Sequence, residues 1–255
     1  MWPCLLLAAA TAAAGADAEA LAMERALREG RIVSITPLGE GVTNSSRVEL
    51  RDGARTLRAV FKTADVRVQE SAYRFGAETV GAYRDTYRHE VAAYELDKSL
   101  GLRLVPPVVE RKIGKQKGSL QAWVDRALPR FAPAEPPADM DRADEGVQAM
   151  RLFDYLIFNT DRHVRNVVFG PDWRPAAIDN SIAFHPFLRP YRPLYRFPRG
   201  PIERLRGLDA RALRRALGRY LEKDELAGLE ERRARVLRLV DAAIASSGPE
   251  SLFEW

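Results

Sequence analysis

The sequence predicts an α+β protein in two lobes, a β-rich first half carrying one helix and a mostly helical second half. Three observations predict it. Short apolar segments at strand spacing run from Arg31 to Phe61, with Asp52-Gly53 between two of them as a hairpin signal. A stretch rich in Pro, Ala and acid (PRFAPAEPPADMDRADE, 129–145) then interrupts the chain. Beyond it apolar residues recur at helical spacing, beginning with Val147, Met150, Phe153, Leu156 and Ile157. The boundaries that follow are an export signal at 1–18, a β-rich lobe at 19–128, a linker at 129–145 and a helical lobe at 146–255.

With 255 residues, 46% of them hydrophobic, the chain can bury a core without disulfides or metals. Its composition excludes collagen, a disordered tail, a disulfide-stapled miniprotein and a polytopic membrane protein. The net charge of +5 comes from 40 basic against 35 acidic residues, with Lys only at 62, 98, 112, 115, 117 and 223. That mild bias suits a solvated Arg-rich surface and falls short of a nucleic-acid signature.

Residues 5–16 form an apolar run of leader-peptide length, shorter than the ~20 residues needed to span a bilayer. Small residues follow at alternate positions (Ala14, Ala16, Ala18), although no Lys or Arg precedes the run. The reading is export to the periplasm or beyond; an Ala-rich N-terminal helix on a cytoplasmic protein is the alternative. Cys4 is the single cysteine, so a cleaved product would have no disulfide, Cys zinc site or thiol nucleophile.

Strands are expected at 31–35, 46–50 and 57–61, with Leu38-Gly39-Glu40-Gly41 before the hairpin and Ala59-Val60-Phe61-Lys62 closing it. A helix is expected over Tyr87–Leu100, with Val91, Ala92, Tyr94, Leu96 and Leu100 on its apolar side and Gly101 stopping it. Residues 102–109 read as a strand interrupted by Pro106-Pro107, and 119–124 as another after a turn at 114–118. In the second half, the first helix runs into a polar loop at Asn159. Short strands at Val167–Phe169 and 176–178 flank a turn at 171–175. After a Pro-rich aromatic stretch (185–201), two amphipathic helices start near Asp209 and Asp224, each with an Asp N-cap. There are no internal repeats.

Four features carry chemistry. Lys62 closes an apolar strand in a chain that otherwise uses Arg; alone it fits a strand-end lysine reaching solvent equally well. Glu90 sits in the first turn of its helix, where the dipole favours a carboxylate anyway. In Asn159-Thr160-Asp161-Arg162-His163-Val164-Arg165-Asn166, an Asp is followed five residues later by an Asn, the D-x4-N arrangement of phosphoryl-transfer loops. Finally, Ile178-Asp179-Asn180 ends an apolar strand in a carboxylate. A hairpin joining the last two would bring Asp179 beside Asn166, a pair of hard oxygen ligands suited to Mg²⁺ or Mn²⁺ with phosphate oxygens completing the shell.

The string LFDYLIFNTDRHVRNVVFG, with AAIDNSIAF after it, resembles the catalytic loop and metal segment of type II phosphatidylinositol 4-kinases, and KGSLQAWVDRA resembles their hinge. AVFK, YRHEVAAYELDKSLGLRLVPPVV and the DRH of the loop resemble the Golgi secretory-pathway kinases, the casein and xylosyl kinase family. N-x-D-x-H-x-x-N is also similar to HipA-type kinases. The resemblance implies a two-lobed atypical protein-kinase-like fold, with the helix at 87–100 as its αC-like helix. It implies that Lys62 contacts the α/β-phosphates of ATP and pairs with Glu90. Asp161 becomes the catalytic Asp, and Asn166 and Asp179 the ligands of Mg²⁺ or Mn²⁺. Residues 121–125 become the hinge whose backbone meets adenine, with Gln121 and Val124 in it and Trp123 packing on the base. Segment 38–46, with Gly39 and Gly41, would cover the phosphates. His163 would brace the loop by a hydrogen bond, and His89 and His185 would be surface or packing residues.

The sequence departs from these families in three ways. Ser181 stands where they carry Gly after Asp-Asn, no disulfide framework exists, and no cysteine cluster for palmitoylation is present. The expectation is an ATP-dependent phosphotransferase acting on a hydroxyl, a protein Ser/Thr first and a phosphoinositide or glycan next. It acts without nucleic acid and without a membrane span in the mature chain. A kinase-fold pseudoenzyme that binds a partner without turnover, and transfer of AMP in place of phosphate, are the alternatives.

Overall fold

Asp52 pairs with Arg55 across a two-residue turn whose first position, Gly53, has φ +58°, as a type II′ hairpin requires. The hairpin belongs to a computed structural model that describes residues 3–39, 45–68, 74–75, 78–79, 83–124, 141–170, 173–186 and 193–254. The chain divides into two units, residues 1–63 with 107–123 and residues 64–106 with 124–255.

The first unit is a helix, Pro3–Glu29, and a five-stranded antiparallel sheet. The strand order is Arg31–Pro37, Ser45–Asp52, Arg55–Lys62, Gln116–Ala122, Val108–Ile113. Leu27 of the helix lies in one cluster with Val48, Leu50, Ala59, Phe61, Val109, Leu120 and Ala122. Since side chains alternate along a strand, the register Ala59↔Ala122, Phe61↔Leu120 puts this apolar set on one face. Val60, Lys62, Ser119 and Gln121 are then on the other. Arg111 donates to Leu27 O (2.6 Å) and Gly30 O (2.7 Å), satisfying carbonyls that the helix end leaves open. The strand expected from residue 102 begins only at Val108, because Pro106 and Pro107 have no N–H for a ladder.

The second unit holds helices Tyr87–Leu100, Asp141–Ile157, Arg199–Gly207, Ala210–Leu217 and Lys223–Ser247. Short pairs join Asp65–Val68 to Tyr83–Thr86 and Val167–Phe169 to Pro175–Ala177. The helix Tyr87–Leu100 has its expected bounds, with Thr86 Oγ1 accepting from Arg88 N–H at one end and Gly101 at φ +64° at the other. It packs within this unit, against the helices Arg199–Gly207 and Ala210–Leu217, so the division of the chain differs from a single boundary after residue 128. Asp141–Ile157 starts inside the stretch read as linker, whose residues 129–140 lie outside the described ones. Asp209 caps its helix as expected, donating no proton but accepting from Ala212 N–H (2.7 Å). The last helix is capped at Glu222 rather than Asp224: Glu222 N–H donates to Glu225 Oε2 (2.7 Å). Arg199–Gly207 emerges from the Pro-rich stretch with Pro201 in its first turn, where a missing N–H costs nothing. No helix among the described residues is long and apolar enough to cross a membrane.

Candidate functional site

The loop that carries Asp161 is delivered by the helix Asp141–Ile157, which ends in a Schellman turn. Phe158 takes φ +50°, with Phe158 N–H bonded to Tyr155 O (3.4 Å) and Asn159 N–H to Asp154 O (3.0 Å). A bulky residue in the left-handed region is strained, so tertiary contacts must hold it. Asn159 Oδ1 then accepts from Asp161 N–H (3.0 Å), turning the chain outward.

Asp161 is half-exposed, and its neighbours bind it from below. Asn166 Nδ2 donates to Asp161 O (2.9 Å) and Asp161 Oδ2 (3.2 Å). That leaves Asn166 Oδ1 without a hydrogen bond among the described residues. His163 Nδ1 accepts from Arg165 N–H (3.0 Å), capping the short turn Val164–Asn166, which is the bracing role expected of it.

Val167–Phe169 pairs antiparallel with Pro175–Ala177, and Ile178 N–H donates to Asn166 O (3.1 Å). The hairpin thus brings the segment of Asp179 back beside Asn166, as the sequence implies. Asp179 itself has φ +58°, a conformation that Asp tolerates better than most residues and that recurs at functional sites. The residues after it are tied to Tyr87–Leu100 and the strand before it. Asn180 N–H donates to Glu90 Oε2 (3.1 Å), and Ser181 O accepts from Thr86 N–H (3.0 Å).

His89 also faces Ser181 O, through Nδ1 at 2.9 Å, while its Nε2 is 3.0 Å from Glu225 Oε1. It is 1% exposed, so it is a buried tie rather than a surface residue. Both ring nitrogens face oxygen atoms from other elements, which fixes the orientation of the ring. Burial works against the Glu225 carboxylate, but the His89 hydrogen bond and charge, the Glu222 N–H and Arg84 outweigh it and hold the carboxyl below its ordinary value.

Sequence reasoning missed what lies under the loop. Arg162 is buried, and its Nε and Nη2 pair with the buried carboxylate of Asp154 (3.0–3.2 Å). Nη2 also donates to Asn180 Oδ1 (2.6 Å), and Nη1 donates to Asn166 O (2.9 Å) and Ile178 O (2.5 Å). Asn159 Nδ2 reaches the same Asn180 Oδ1 (3.3 Å). The signal available was Asp154, an acid in the apolar run LFDYLIF, since a buried carboxylate needs a partner.

In the first unit, Lys62 ends its strand in register with Ser45 and Ser119. Glu90, expected as its partner, belongs to the other unit. Gly118 lies so close to Lys62 O that a Cβ there would collide with it. Gln121, on the same sheet face as Lys62, is 7% exposed, and its Nε2 has no hydrogen-bond partner among the described residues. Ala122 N–H is bonded to Pro107 O (2.8 Å) and Trp123 N–H to Arg58 O (2.9 Å). Those two donors are therefore engaged, and the Trp123 ring lies under the Arg58 guanidinium at 5.7 Å. Gly39 has φ +65°; Gly41 and residue 125 lie outside the described ones.

No protein-family model matches the sequence, and no curated protein does. Solved structures do match in fold. The structure of hydra Fam20 with sugar superposes with a TM-score of 0.63 at 19% identity, covering 93% of this chain and 93% of that one. The Golgi casein kinase gives 0.62 at 16% identity, over 91% of this chain and 76% of that one. The same kinase with Mn/ADP bound gives 0.63 at 17%, over 93% and 79%. At these identities the likeness is one of architecture, and it identifies the α+β fold of this chain as kinase-like.

Proposed function

We propose that the chain is an ATP-dependent phosphotransferase that moves the γ-phosphate of ATP to a hydroxyl, with a protein Ser or Thr as the favoured acceptor. The observation that carries this reading is the Asn166 amide. Its nitrogen holds both the carbonyl and the carboxylate of Asp161, which leaves its oxygen available one backbone hydrogen bond away from the segment of Asp179. An amide oxygen and a carboxylate are hard donors that fit Mg²⁺ or Mn²⁺. Among the described residues no group of three or more His, Cys, Asp or Glu offers a closed cage, so phosphate oxygens would complete the shell. The Golgi casein kinase, similar in fold, is known with Mn/ADP bound, which supports the same ligand pair here.

When bound, the ion would neutralise charge on the phosphoryl group in transit. Asp161 would take the proton of the acceptor hydroxyl as its oxygen bonds to the γ-phosphorus and the bond to ADP breaks. Lys62 is assigned to the α/β-phosphates and to a pairing with Glu90, and Gly39 and Gly41 to the cover over them. Gln121, Trp123 and Val124 are assigned to the base, and the buried Gln121 Nε2, without a partner among the described residues, fits a ligand with a hydrogen-bonding edge. Phosphoinositide and glycan acceptors are the alternatives within this reading. Export is part of the proposal too. The helix Pro3–Glu29 runs through position 18, and a cleaved chain would keep Met23 and Leu27, the residues that pack on the sheet.

A thermal-shift titration with ATP and Mn²⁺ or Mg²⁺ tests the nucleotide site. A metal-dependent stabilisation is expected, and it should be lost in Asp179→Ala. With labelled ATP and a panel of protein, lipid and glycan acceptors, Asp161→Asn should keep the ATP shift and lose transfer by a factor of ~10²–10⁴. The absence of any shift with either metal would overturn the proposal and leave a kinase-fold binding module.

A further inference from the structure

Arg162 uses all five of its N–H donors inside one network, and the division of labour among them is informative. Its pairing with Asp154 runs through Nε and Nη2, so the third nitrogen takes no part in that ion pair. Nη1 instead spans two backbone carbonyls, Asn166 O and Ile178 O. The first belongs to the residue assigned as one metal ligand, and the second precedes Asp179, the other. A lysine could neutralise Asp154, but only a planar fork can hold a carboxylate on one side and two carbonyls on the other.

We infer that Arg162 is the positioning residue that presets the spacing of Asn166 and Asp179 before a cation arrives. The two hydrogens of Nη1 lie in the guanidinium plane at a fixed angle, so the two carbonyls are held relative to each other. Nη2 adds Asn180 Oδ1 to the same plane, which fixes the residue on the far side of Asp179 as well. Backbone pairing joins the Asn166 and Asp179 segments through the short ladder of Val167–Phe169 with Pro175–Ala177 and the bond from Ile178 N–H to Asn166 O (3.1 Å). The fork adds a contact to the carbonyl beside each ligand in one plane. With two protein ligands, affinity depends on how well they are preorganised. The inference rests on the phosphotransferase reading for what the spacing serves.

The test is Arg162→Lys, which keeps a charge beside Asp154 and removes the fork. In the folded variant the apparent Mn²⁺ affinity, read from the metal dependence of the ATP thermal shift, should fall at least ~10-fold. Transfer should fall through kcat, with KM for the acceptor unchanged. In metal-free protein, amide exchange at Asn166, Ile178 and Asn180 should speed up together. A folded variant with wild-type metal affinity and wild-type exchange would overturn the inference. Should the variant not fold, wild-type protein decides: these three amides should open at one common free energy, and independent openings would refute the clamp. Wild-type protein without metal-dependent ATP binding would sink the phosphotransferase reading instead, and the exchange experiment would still judge the clamp.

Discussion

Gln121 shows how one side chain records a missing partner. A buried amide that forms no hydrogen bond costs about 1–3 kcal/mol, and Nε2 of this residue has no partner among the described residues on the sheet face it shares with Lys62. Gln121→Met keeps the length of the side chain and removes the polar group. The ligand-free protein should gain about 1 kcal/mol, a rise in Tm of roughly 2–4 °C for a chain of this size. The ATP-induced shift should shrink at the same time. A fall in Tm with an unchanged ATP shift would count against a role for the amide at the base. The sequence could place Gln121 in a hinge by resemblance but could not show it unsatisfied, because that depends on what the fold brings near it. Arg162 was hidden for a different reason. In a chain where nearly every basic residue is Arg, one more inside a polar loop carries no signal until its five donors are traced.

At the scale of elements, the legible parts were those whose signal is local. The Asp52-Gly53 hairpin and the helix Tyr87–Leu100 with its Gly101 stop follow from turn chemistry and 3.6-residue spacing, and the structure has both. The pair Asp65–Val68 with Tyr83–Thr86 was not legible. Its charged residues Asp65, Arg67, Arg84 and Asp85 show no alternation, and it is held by ion pairs such as Arg84 with Glu225 (3.2 Å), far away in sequence. Gly118 gives an element-scale prediction. An alanine Cβ there would collide with Lys62 O and come within 2.9 Å of Phe61 Cε2. Two strands would have to part where Lys62 ends its strand, at about 1–3 kcal/mol for overpacking. Gly118→Ala should therefore lower Tm by several degrees and weaken ATP binding with it. An unchanged Tm would mean that the strands can separate freely at that point.

At the scale of the molecule, the sequence suggested a β-rich lobe at 19–128, a linker and a helical lobe at 146–255, whereas the chain begins in the sheet unit, leaves it after residue 63, returns at 107 and leaves again after 123. Composition marks linkers, but it does not reveal that a strand after residue 107 completes a sheet begun before residue 63. The intervening segment, 64–106, belongs to the helical unit, and Asp97 is a polar tie inside it. Its carboxyl is buried and accepts from Leu104 N–H (3.0 Å), while Leu104 O in turn accepts from Ala177 N–H (2.7 Å), two residues before Asp179. Burial pushes the Asp97 carboxyl up to about 7, against the pull of the backbone N–H groups and Arg103. A raised carboxyl binds its proton more tightly in the folded state, so stability is full below the unfolded value of 3.8 and declines as pH rises toward about 7. A shift of that size corresponds to at most about 4 kcal/mol. Glu225 acts in the opposite sense, since its lowered carboxyl adds stability that is lost on acidification. Wild-type Tm should thus fall between pH 5 and 8. Asp97→Asn keeps the acceptor and removes the titration, so it should flatten that side of the profile and leave the acid side as it was. If the two profiles instead run parallel from pH 5 to 8, Asp97 is not the group that governs stability there.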